Sequence, residues 1–286
     1  MTTTATDPER TIAFQGRPGA YSHMACREAF PDFTPLPCHS FEDAFAAVRE
    51  GQARHAMIPV DNSVAGRVAD VHHLLPNCGL HIVAEHFLRV NHHLLAVRGS
   101  SLERVQVVES HVHAVGQCRD FLRAHQFRAK VVADTAGAAA DVAEAGDPSR
   151  AAIASRLAAE TYGLEILASD IEDAEHNTTR FLVFAREPQV PEPGAGPTVT
   201  TFLFTVRNVP AALYKAMGGF ATNGVNMVKL ESYIDGAFTQ AQFHADIIGH
   251  PQDENVRLAM EELRFFAHNL EILGVYPAHS FRDRIG

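Results

Sequence analysis

The stretch EDAEHNTTRFLVFAR, residues 172–186, joins an acidic, polar segment to a run of apolar residues. Residues 181–184 are all apolar, which is typical of a strand that is covered on both faces. Four polar residues, 177–180, stand directly before that run. The stretch therefore predicts a buried strand whose first residues carry a candidate site.

Upstream of this strand, short apolar runs alternate with helical patterns. The apolar runs are residues 11–16, 55–60, 105–110 and 151–155. Alternating strands and helices predict an α/β fold with a mostly parallel sheet.

Two segments predict that the chain passes between two lobes. Residues 85–97 are long and alternating enough to cross from a first lobe to a second, and the strand in 178–186 then returns to the first lobe. We therefore predict an N-terminal domain, residues 1–187, with a cleft between its lobes. The predicted lobes are about residues 1–92 with 170–187, and residues 93–169.

Two helices are expected next to the polar residues of the cleft. Apolar residues recur at helical spacing, which predicts a helix, at Val64, Val68, Val71 and Leu75. Another helix is expected over residues 111–124. Ser110 and Gln117 are seven residues apart, nearly two helical turns, so both are expected on the same face of this helix.

The C-terminal third of the chain follows a different pattern. Residues 188–198 are rich in proline and glycine and predict a linker, because such a stretch continues neither a helix nor a central strand. Residues 199–286 then follow the order β-α-β-β-α-β, with a turn at Asp235-Gly236 between the two middle strands. This order predicts a ferredoxin-like α+β domain.

The composition of the 286 residues is that of a soluble globular protein, with 46% hydrophobic and 20% charged residues. A net charge of −10 and the lack of a Lys/Arg run argue against a nucleic-acid-binding protein. The sequence has no signal pattern and no apolar stretch of about 18 residues, so we expect neither secretion nor a membrane span. The 4 cysteines form no C-x-x-C pair, which favours free thiols in a reducing cytoplasm.

Small polar residues stand where several predicted strands give way to helices. They are Ser22, Asn62, Ser63, Ser110 and Ser155. Helix N-termini offer unpaired backbone N–H groups that hold carboxylates or phosphates, and in open α/β sheets such turns face one crevice. Serine and asparagine are also the favoured N-caps, so the residues alone are compatible with both anion binding and simple capping.

Metal and serine-hydrolase chemistry find little support in the sequence. The chain has 17 histidines but no H-E-x-x-H motif, and no carboxylate or cysteine stands at a usual ligand spacing from them. A G-x-S-x-G elbow is also absent from the sequence. We therefore expect neither a catalytic metal nor a serine nucleophile.

Four motifs of the N-terminal domain resemble those of prephenate dehydratases. They are GRPGAYS (16–22), PVDNSVAGRV (59–68), SHVHAVGQC (110–118) and NTTRF (177–181). The C-terminal part resembles the ACT regulatory domain that is usually attached, through VPAALYKAM (209–217) and NMVKLESYI (226–234). The resemblance covers nearly the whole chain.

This resemblance implies two lobes like those of a type II periplasmic binding protein. It also implies conversion of prephenate to phenylpyruvate, water and carbon dioxide in phenylalanine biosynthesis. Loss of the ring carboxylate expels the 4-hydroxyl and yields an aromatic product, so neither a metal nor an organic cofactor is needed. The implied partners are prephenate as substrate, L-phenylalanine as effector and further copies of the chain in a homodimer or homotetramer.

The resemblance makes Thr179 the catalytic residue, and we expect its hydroxyl to donate a hydrogen bond to the leaving oxygen. The residues expected at the substrate are Ser22, Asn62, Ser63, Ser110, Gln117, Ser155, Thr178, Arg180 and Phe181. Three of these have a structural alternative. Thr178 can be a structural hydroxyl, Arg180 can pair with an acidic residue of 170–173 instead of clamping a carboxylate, and Phe181 can begin the core.

The effector residues implied by the resemblance lie in the C-terminal domain. They are Ala211, Ala212, Leu213, Asn226, Glu231 and Ser232. Ala211 stands where the family has a glycine, and Tyr233 with Ile234 replaces an Arg-Pro pair. Because glycine permits close backbone approach, Ala211 is expected to narrow the effector pocket.

Two other functions are compatible with the sequence. An arogenate dehydratase performs the same chemistry on a substrate that carries an amine, and Asp61 or Glu109 would then supply an additional acid. A non-catalytic amino-acid sensor would combine a binding-protein cleft with an ACT domain. Such a sensor would have no reason to keep Thr179 beside Arg180 and Phe181.

Overall fold

The computed structural model of the chain describes residues 7–207, 209–234 and 241–284. The chain divides into two compact units. They are Met1–Leu75 with His86–Phe181, and Pro76–Glu85 with Leu182–Gly286. Within the described residues, no helix combines the length and the apolar character that crossing a membrane requires.

The part of the chain before residue 187 alternates strands and helices. Its strands are β1 (Thr11–Gln15), β2 (Thr34–Cys38), β3 (His55–Asn62), β4 (Gly66–Arg67), β5 (His81–Arg89), β6 (His93–Ala96), β7 (Val107–Ser110), β8 (Arg128–Val131), β9 (Arg150–Ala154), β10 (Glu165–Ala168) and β11 (Thr178–Ala185). Its helices are α1 (Tyr21–Ala29), α2 (Phe41–Arg49), α3 (Ala69–Leu74), α4 (Val112–Gln117), α5 (Arg119–Ala124), α6 (Thr135–Ala145) and α7 (Arg156–Tyr162).

The first lobe is built on a sheet with the order β11-β3-β1-β2. β1 pairs in parallel with both β2 and β3, and β4 adds an antiparallel partner to the end of β3. The side chain of Ser40 caps α2 by accepting from the backbone N–H of Asp43, whose carboxylate accepts from the N–H of Ser40 in return. This reciprocal cap stabilises the start of the helix beside the strands.

The second lobe is built on a sheet with the order β10-β6-β9-β7-β8, which is covered on both faces. On one face, Leu94 and Ile153 pack in a cluster with Leu122 of α5. Their strand neighbours Leu95 and Ala152 point to the other face and pack with residues of α6 and α7. Double coverage explains why the central strands β6 and β9 carry consecutive apolar residues, 94–96 and 151–154, instead of alternating ones.

The chain passes from the first lobe to the second between β5 and β6, and it returns between β10 and β11. The predicted two-lobed α/β fold is therefore confirmed. Both lobes carry parallel strand pairs, although β6 pairs antiparallel with β9 and with β10.

The predicted helix from Val64 to Leu75 is wrong over its first five residues. The side-chain oxygen of Asn62 accepts from the backbone N–H groups of Val64 and Ala65 and folds this segment into a turn. Gly66 follows with φ +83°, a left-handed conformation that no helix continues. The helix α3 therefore begins only at Ala69.

The predicted helix over residues 111–124 is broken at Cys118, which separates α4 from α5 with φ −123° and ψ 28°. The carboxylate of Asp173 accepts from the backbone N–H groups of Arg119 and Asp120, and so provides a new helix N-terminus. The N–H of Asp173 donates to the carbonyl of Gln117 over 2.6 Å. A segment more than fifty residues away in sequence thus ends one helix and caps the next.

The second unit contains the predicted β-α-β-β-α-β order. Its elements are β12 (Thr198–Val206), α8 (Ala212–Thr222), β13 (Met227–Ile234), β14 (Ala241–Ile248), α9 (Glu254–Phe266) and β15 (Ala267–Pro277). The strand order β13-β14-β12-β15 is the ferredoxin-like one, as predicted. Phe202, Phe204 and Phe220 form the centre of its core. The predicted turn at Asp235-Gly236 lies outside the described residues.

The segment Pro76–Glu85 belongs to this second unit, which the sequence patterns did not indicate. Ile82 of β5 pairs in parallel with Gly274 of β15, and a Cβ on Gly274 would collide with the carbonyl of Ile82. Two side-chain nitrogens of Arg282 donate to the buried carboxylate of Glu85, over 2.6 and 2.8 Å. A bidentate charged contact of this kind fixes the segment to the C-terminal residues.

Candidate functional site

A cavity of about 610 Å³ lies in the first unit, and both lobes contribute to its wall. The first lobe supplies Ser22, Asn62, Thr179 and Phe181. The second lobe supplies Gln117 at the end of α4. These five residues, all selected from the sequence, therefore share one cavity wall. Phe181 is also almost fully buried, so its ring belongs to both the wall and the core.

The adjacent strands β3 and β11 place Asn62 beside Thr179. The Nδ2 of Asn62 donates to Oγ1 of Thr179 over 2.9 Å and to Oδ1 of Asn177 over 2.8 Å. The Oδ1 of Asn62 accepts from the backbone N–H groups of Val64 and Ala65 over 3.0 and 2.7 Å. The amide of Asn62 is thus held at both ends.

Asn177 extends these contacts to the second lobe. Its Nδ2 donates to Oε1 of Gln117 over 3.1 Å, and the same oxygen lies 2.8 Å from Nε2 of His92. The Nδ1 of His92 lies 2.7 Å from the hydroxyl of Tyr21, which is also 2.8 Å from the carbonyl oxygen of Asn91. We call this row of contacts the polar chain. Its members are Thr179, Asn62, Asn177, Gln117, His92 and Tyr21.

The two titratable members of the polar chain are neutral near pH 7. Burial lowers the pKa of His92, and its hydrogen bond to Gln117 and the charge of Glu172 oppose this effect less strongly. Burial raises the pKa of Tyr21 well above its ordinary value, and the charges of Cys118 and Glu172 act in the same direction. The polar chain therefore presents neutral hydrogen-bonding groups.

Ser63 and Thr178 join β3 to β11 outside the described cavity wall. The hydroxyl of Ser63 donates to the carbonyl of His176 over 2.6 Å and accepts from the backbone N–H of Thr178 over 2.9 Å. The N–H of Ser63 donates to the carbonyl of Thr178 over 2.9 Å. These contacts hold the start of β11 in place.

Arg180 is buried, and it lies outside the described cavity wall. Its Nη1 lies 3.6 Å from a carboxylate oxygen of Asp61, which the alternatives drawn from the sequence did not include. Two acidic residues of 170–173 bond to the segment that crosses between the lobes. Asp170 accepts from the side chain of Asn91, and Glu172 accepts from the backbone N–H of His92.

The hydroxyls of Ser110 and Ser155 are bound by backbone carbonyls. Ser110 is fully buried and donates to the carbonyl of Ile153 over 2.6 Å. Ser155 caps α7 by accepting from the N–H of Ala158 and donates to the carbonyl of Gly19 over 2.5 Å. Neither serine belongs to the described cavity wall. Ser110 thus joins its side chain to the backbone of the neighbouring strand β9, and Ser155 is an N-cap that also reaches the first lobe.

Several wall residues were not among those predicted at the substrate. They are Tyr21, Arg67, Asp70, His92, His111, His113 and Asp134. Tyr21, Arg67, His111 and His113 lie inside three of the quoted motifs, so the motifs did contain a signal for them. Burial lowers the pKa of His111, a nearby His113 adds to this effect, and Asp134 opposes it.

The residues predicted for an effector all lie in the second unit. Ala211 precedes α8 and has φ +61°, the left-handed region that favours glycine. Ala212 and Leu213 begin that helix, and Asn226 stands just before β13. Glu231 accepts from the hydroxyl of Tyr233 over 2.8 Å, whereas Ser232, the next residue of β13, is exposed on the other face.

Comparison with known proteins gives consistent results over the whole chain. The sequence profile of the prephenate dehydratase family matches residues 12–189. A bifunctional N-acyl-homoserine lactone acylase/prephenate dehydratase from Komagataeibacter europaeus is 52% identical over 278 residues, which is 96% of this chain and 99% of that protein.

Two further relatives are more distant. Arogenate dehydratase/prephenate dehydratase 1 from Arabidopsis thaliana, a chloroplastic protein, is 38% identical over 95% of this chain and 73% of its own length. The crystal structure of prephenate dehydratase from Arthrobacter aurescens in complex with L-Phe is 30% identical, with a TM-score of 0.86 over 94% of this chain and 90% of that chain.

Proposed function

Because the chain belongs to the prephenate dehydratase family and is an enzyme of the lyase class, we propose that it converts prephenate to phenylpyruvate, carbon dioxide and water. The ring carboxylate leaves as carbon dioxide, and its bonding electrons move through the ring to expel the 4-hydroxyl. The hydroxide takes up one proton and departs as water. Aromatisation supplies the driving force.

The single observation that carries this proposal is the position and bonding of Thr179. Its Oγ1 lies in the cavity wall and accepts a hydrogen bond from Nδ2 of Asn62 over 2.9 Å. A hydroxyl has one hydrogen, and this bond does not use it. The hydrogen of Thr179 is therefore free to be donated to the leaving oxygen, where it stabilises the negative charge that develops as the C–O bond breaks.

The cavity wall also offers groups for the two carboxylates of prephenate. Arg67 is the guanidinium among the residues described in the wall, and Gln117 and Ser22 are neutral donors. We propose that Arg67 binds one carboxylate through charge-assisted hydrogen bonds. Arg180 then supports the wall through Asp61 instead of meeting the substrate.

The direct test is to add prephenate to the purified chain and to follow the appearance of phenylpyruvate by absorbance. Turnover is expected with the wild type and should be strongly reduced by the Arg67→Gln substitution through a higher KM, because a guanidinium is lost and its size is largely kept. If the wild type forms no phenylpyruvate from prephenate, the proposed function is wrong, and a sensor without activity becomes the better explanation.

Arogenate is the alternative substrate, and two observations favour testing it. The named relatives include arogenate dehydratases, and Asp70 and Asp134 both line the cavity, where a carboxylate suits an ammonium group. The acids considered from the sequence are engaged elsewhere: Asp61 pairs with Arg180, and Glu109 pairs with Lys130. Values of kcat/KM measured side by side on prephenate and arogenate decide between the two.

A second activity is suggested by the relative from Komagataeibacter europaeus, whose name includes an N-acyl-homoserine lactone acylase. Identity of 52% over 96% of this chain makes the same substrate class worth testing. Incubation with an N-acyl-homoserine lactone and detection of the free acid would reveal this activity. The same assay with the Thr179→Val enzyme would show whether the two reactions share a hydroxyl.

We further propose that residues 199–286 form an ACT regulatory domain that binds phenylalanine, after a linker at 188–198. The ferredoxin-like strand order and the L-Phe complex of the relative from Arthrobacter aurescens support this proposal. Initial rates on prephenate with increasing phenylalanine test it. The rates should change along a saturable curve, and the change should be altered by substitution of Ser232 or Asn226.

A homodimer or homotetramer is the proposed assembly. β13 is at one end of the strand order of the second unit, and Val228, Leu230 and Ile234 on it are exposed apolar residues. An edge strand with such side chains is suited to pairing with a second copy. Light scattering on the purified chain would measure the mass, and a monomer at micromolar concentration would contradict the proposal.

A further inference from the structure

With Asn62 held by two backbone N–H groups, the hydrogen bonds of the polar chain run in one direction. Val64 and Ala65 present backbone N–H groups, which can only donate, so the atom of Asn62 that faces them is its oxygen. The NH2 group of Asn62 therefore faces Thr179 and Asn177. Because an NH2 group only donates, Oγ1 of Thr179 and the facing atom of Asn177 must both be acceptors.

The same rule determines which atom of each later residue in the polar chain donates and which accepts. Asn177 accepts through Oδ1, so its NH2 faces Gln117, and the facing atom of Gln117 is then Oε1. This oxygen lies 2.8 Å from Nε2 of His92, which must carry a hydrogen to donate to it. On a neutral ring Nδ1 is then an acceptor, so the hydroxyl of Tyr21 donates to Nδ1 over 2.7 Å instead of to the carbonyl of Asn91, which lies 2.8 Å away.

This direction leaves two donors for the cavity. One is the hydroxyl hydrogen of Thr179, and the other is the NH2 group of Gln117, and both residues line the wall. In the opposite direction, Thr179 would donate to residue 62, and the NH2 of Gln117 would donate to Asn177 and His92 instead of facing the cavity. The direction of the polar chain therefore decides whether the cavity contains these donors.

We propose that Asn177 and His92 are positioning residues that carry the direction set at Asn62 across the cleft to Gln117, so that the Gln117 NH2 is reserved for the substrate together with the Thr179 hydrogen. This inference rests on the proposed function, since the substrate that receives these donors is the one proposed above. Both residues are almost fully buried, and they lie on the two segments where the chain crosses between the lobes. They are thus placed to hold a donor on each lobe in one arrangement.

The polar chain also has a fully bonded arrangement of the opposite direction. The hydroxyl of Tyr21 lies 2.8 Å from the carbonyl of Asn91, so it can donate there and accept from a hydrogen on Nδ1 of His92. What selects between the two arrangements is the anchor at Asn62. The Asn62→Asp substitution places there a side chain that only accepts, and it should reverse each later member in turn.

The experiment measures the tautomer of His92 directly. The full chain is labelled with 15N-histidine, and the imidazole signals of His92 are assigned by their loss in the His92→Gln variant. We expect the wild type to hold the hydrogen on Nε2 and the Asn62→Asp variant to hold it on Nδ1. The Asn269→Asp variant is the control, because it makes the same chemical change at an exposed position, and it should match the wild type.

Kinetics provide the second measurement. On prephenate, Asn62→Asp should lower kcat by about 100-fold or more, because the hydrogen of Thr179 then points to residue 62, whereas Asn269→Asp should stay within about twofold of the wild type. A role of Asn62 in packing alone would lower the amount of folded enzyme but would not move a hydrogen between the two nitrogens of a ring that it does not touch.

The outcomes separate this inference from the proposed function. A wild type with the hydrogen on Nδ1 overturns the inference, because the NH2 of Gln117 would then face His92 and not the cavity. An Asn62→Asp variant that keeps the hydrogen on Nε2 overturns it as well. Should that variant fail to fold, the wild-type tautomer alone decides. If the wild type is inactive on prephenate, the proposed function fails while the tautomers still report the direction of the chain.

Discussion

Replacing Thr179 by valine removes one hydroxyl and keeps the branched shape of the side chain. If this hydroxyl donates to the leaving oxygen, the loss of one preorganised donor should lower kcat by about 10²- to 10³-fold. KM should change little, because Arg67 and the other groups proposed to hold the carboxylates remain. The expected signature is thus a large effect on kcat and a small one on KM.

The same substitution also has a calculable effect on stability. The NH2 group of Asn62 keeps its 2.8 Å bond to Asn177 but loses its 2.9 Å bond to Thr179, which is buried. A fully buried donor without a partner costs about 1–3 kcal/mol. Asn62 is half-buried in the cavity wall, so the cost should lie at the low end of this range, whereas domains are stable by about 5–15 kcal/mol. The variant should therefore remain folded at 25 °C, and its loss of activity cannot be attributed to unfolding.

The assay is steady-state turnover of prephenate, with thermal unfolding of each variant as a check. Thr179→Ser keeps the hydroxyl and should retain most of kcat. Thr161→Val is the matched control, because Thr161 also donates through its hydroxyl, to a carbonyl of its own helix, and lies outside the described cavity wall. A Thr179→Val enzyme with kcat within about threefold of the wild type would refute the role assigned to this hydroxyl.

Three further outcomes are expected from the structure. Ala211→Gly should raise the stability by about 1 kcal/mol in urea unfolding, because the residue has φ +61°, and an unchanged or lower midpoint would count against strain there. Ser155→Ala should lower the stability by about 1–2 kcal/mol, since its hydroxyl both caps α7 and donates to a carbonyl of the first lobe. Burial alone would raise the pKa of Glu109, but hydrogen bonds from Lys130 and Arg150 outweigh it and hold this pKa below its ordinary value. The carboxylate therefore contributes stability above the unfolded pKa of about 4.3 and loses it as pH falls through the folded pKa, so the stability difference between wild type and Glu109→Gln should be largest near pH 7 and shrink in acid. A difference that grew in acid would contradict this sign.

Local patterns were sufficient to predict the class of the fold. Apolar runs of four to six residues followed by helical spacing predicted most strands and helices, because strands buried on both faces are continuously apolar and helices buried on one face are periodically so. Of the two errors, the first has a local cause in a side-chain-to-backbone turn and the second has a long-range cause. Asn62 turns the backbone after β3, and Asp173 ends α4 and caps α5 from far along the chain. Likewise, the pairing of Ile82 with Gly274 joins segments that no periodicity relates.

The candidate site was predicted less completely, because a residue type does not reveal how its hydrogen bonds are used. Asn62, Gln117 and Thr179 lie in one cavity wall. Ser110 and Ser155 have the same chemical groups at similar strand ends, but their hydroxyls are bound to backbone carbonyls. Whether such a side chain faces the cavity or bonds to a backbone carbonyl depends on which strands become neighbours, and those strands are distant in sequence.

The direction of the polar chain explains how a site of mostly neutral groups can act on a dianion. The direction is set by the backbone N–H groups of Val64 and Ala65, which donate to Asn62. Backbone N–H groups can only donate, so neither a change of pH nor the binding of substrate can reverse it. The donors on Thr179 and Gln117 are therefore oriented when the protein folds and need no reorganisation when the C–O bond breaks, which is the condition under which hydrogen bonds lower a barrier. A cationic side chain in place of these two N–H groups would orient the same donors. Its charge, however, would attract the substrate and the transition state alike and so contribute less to kcat.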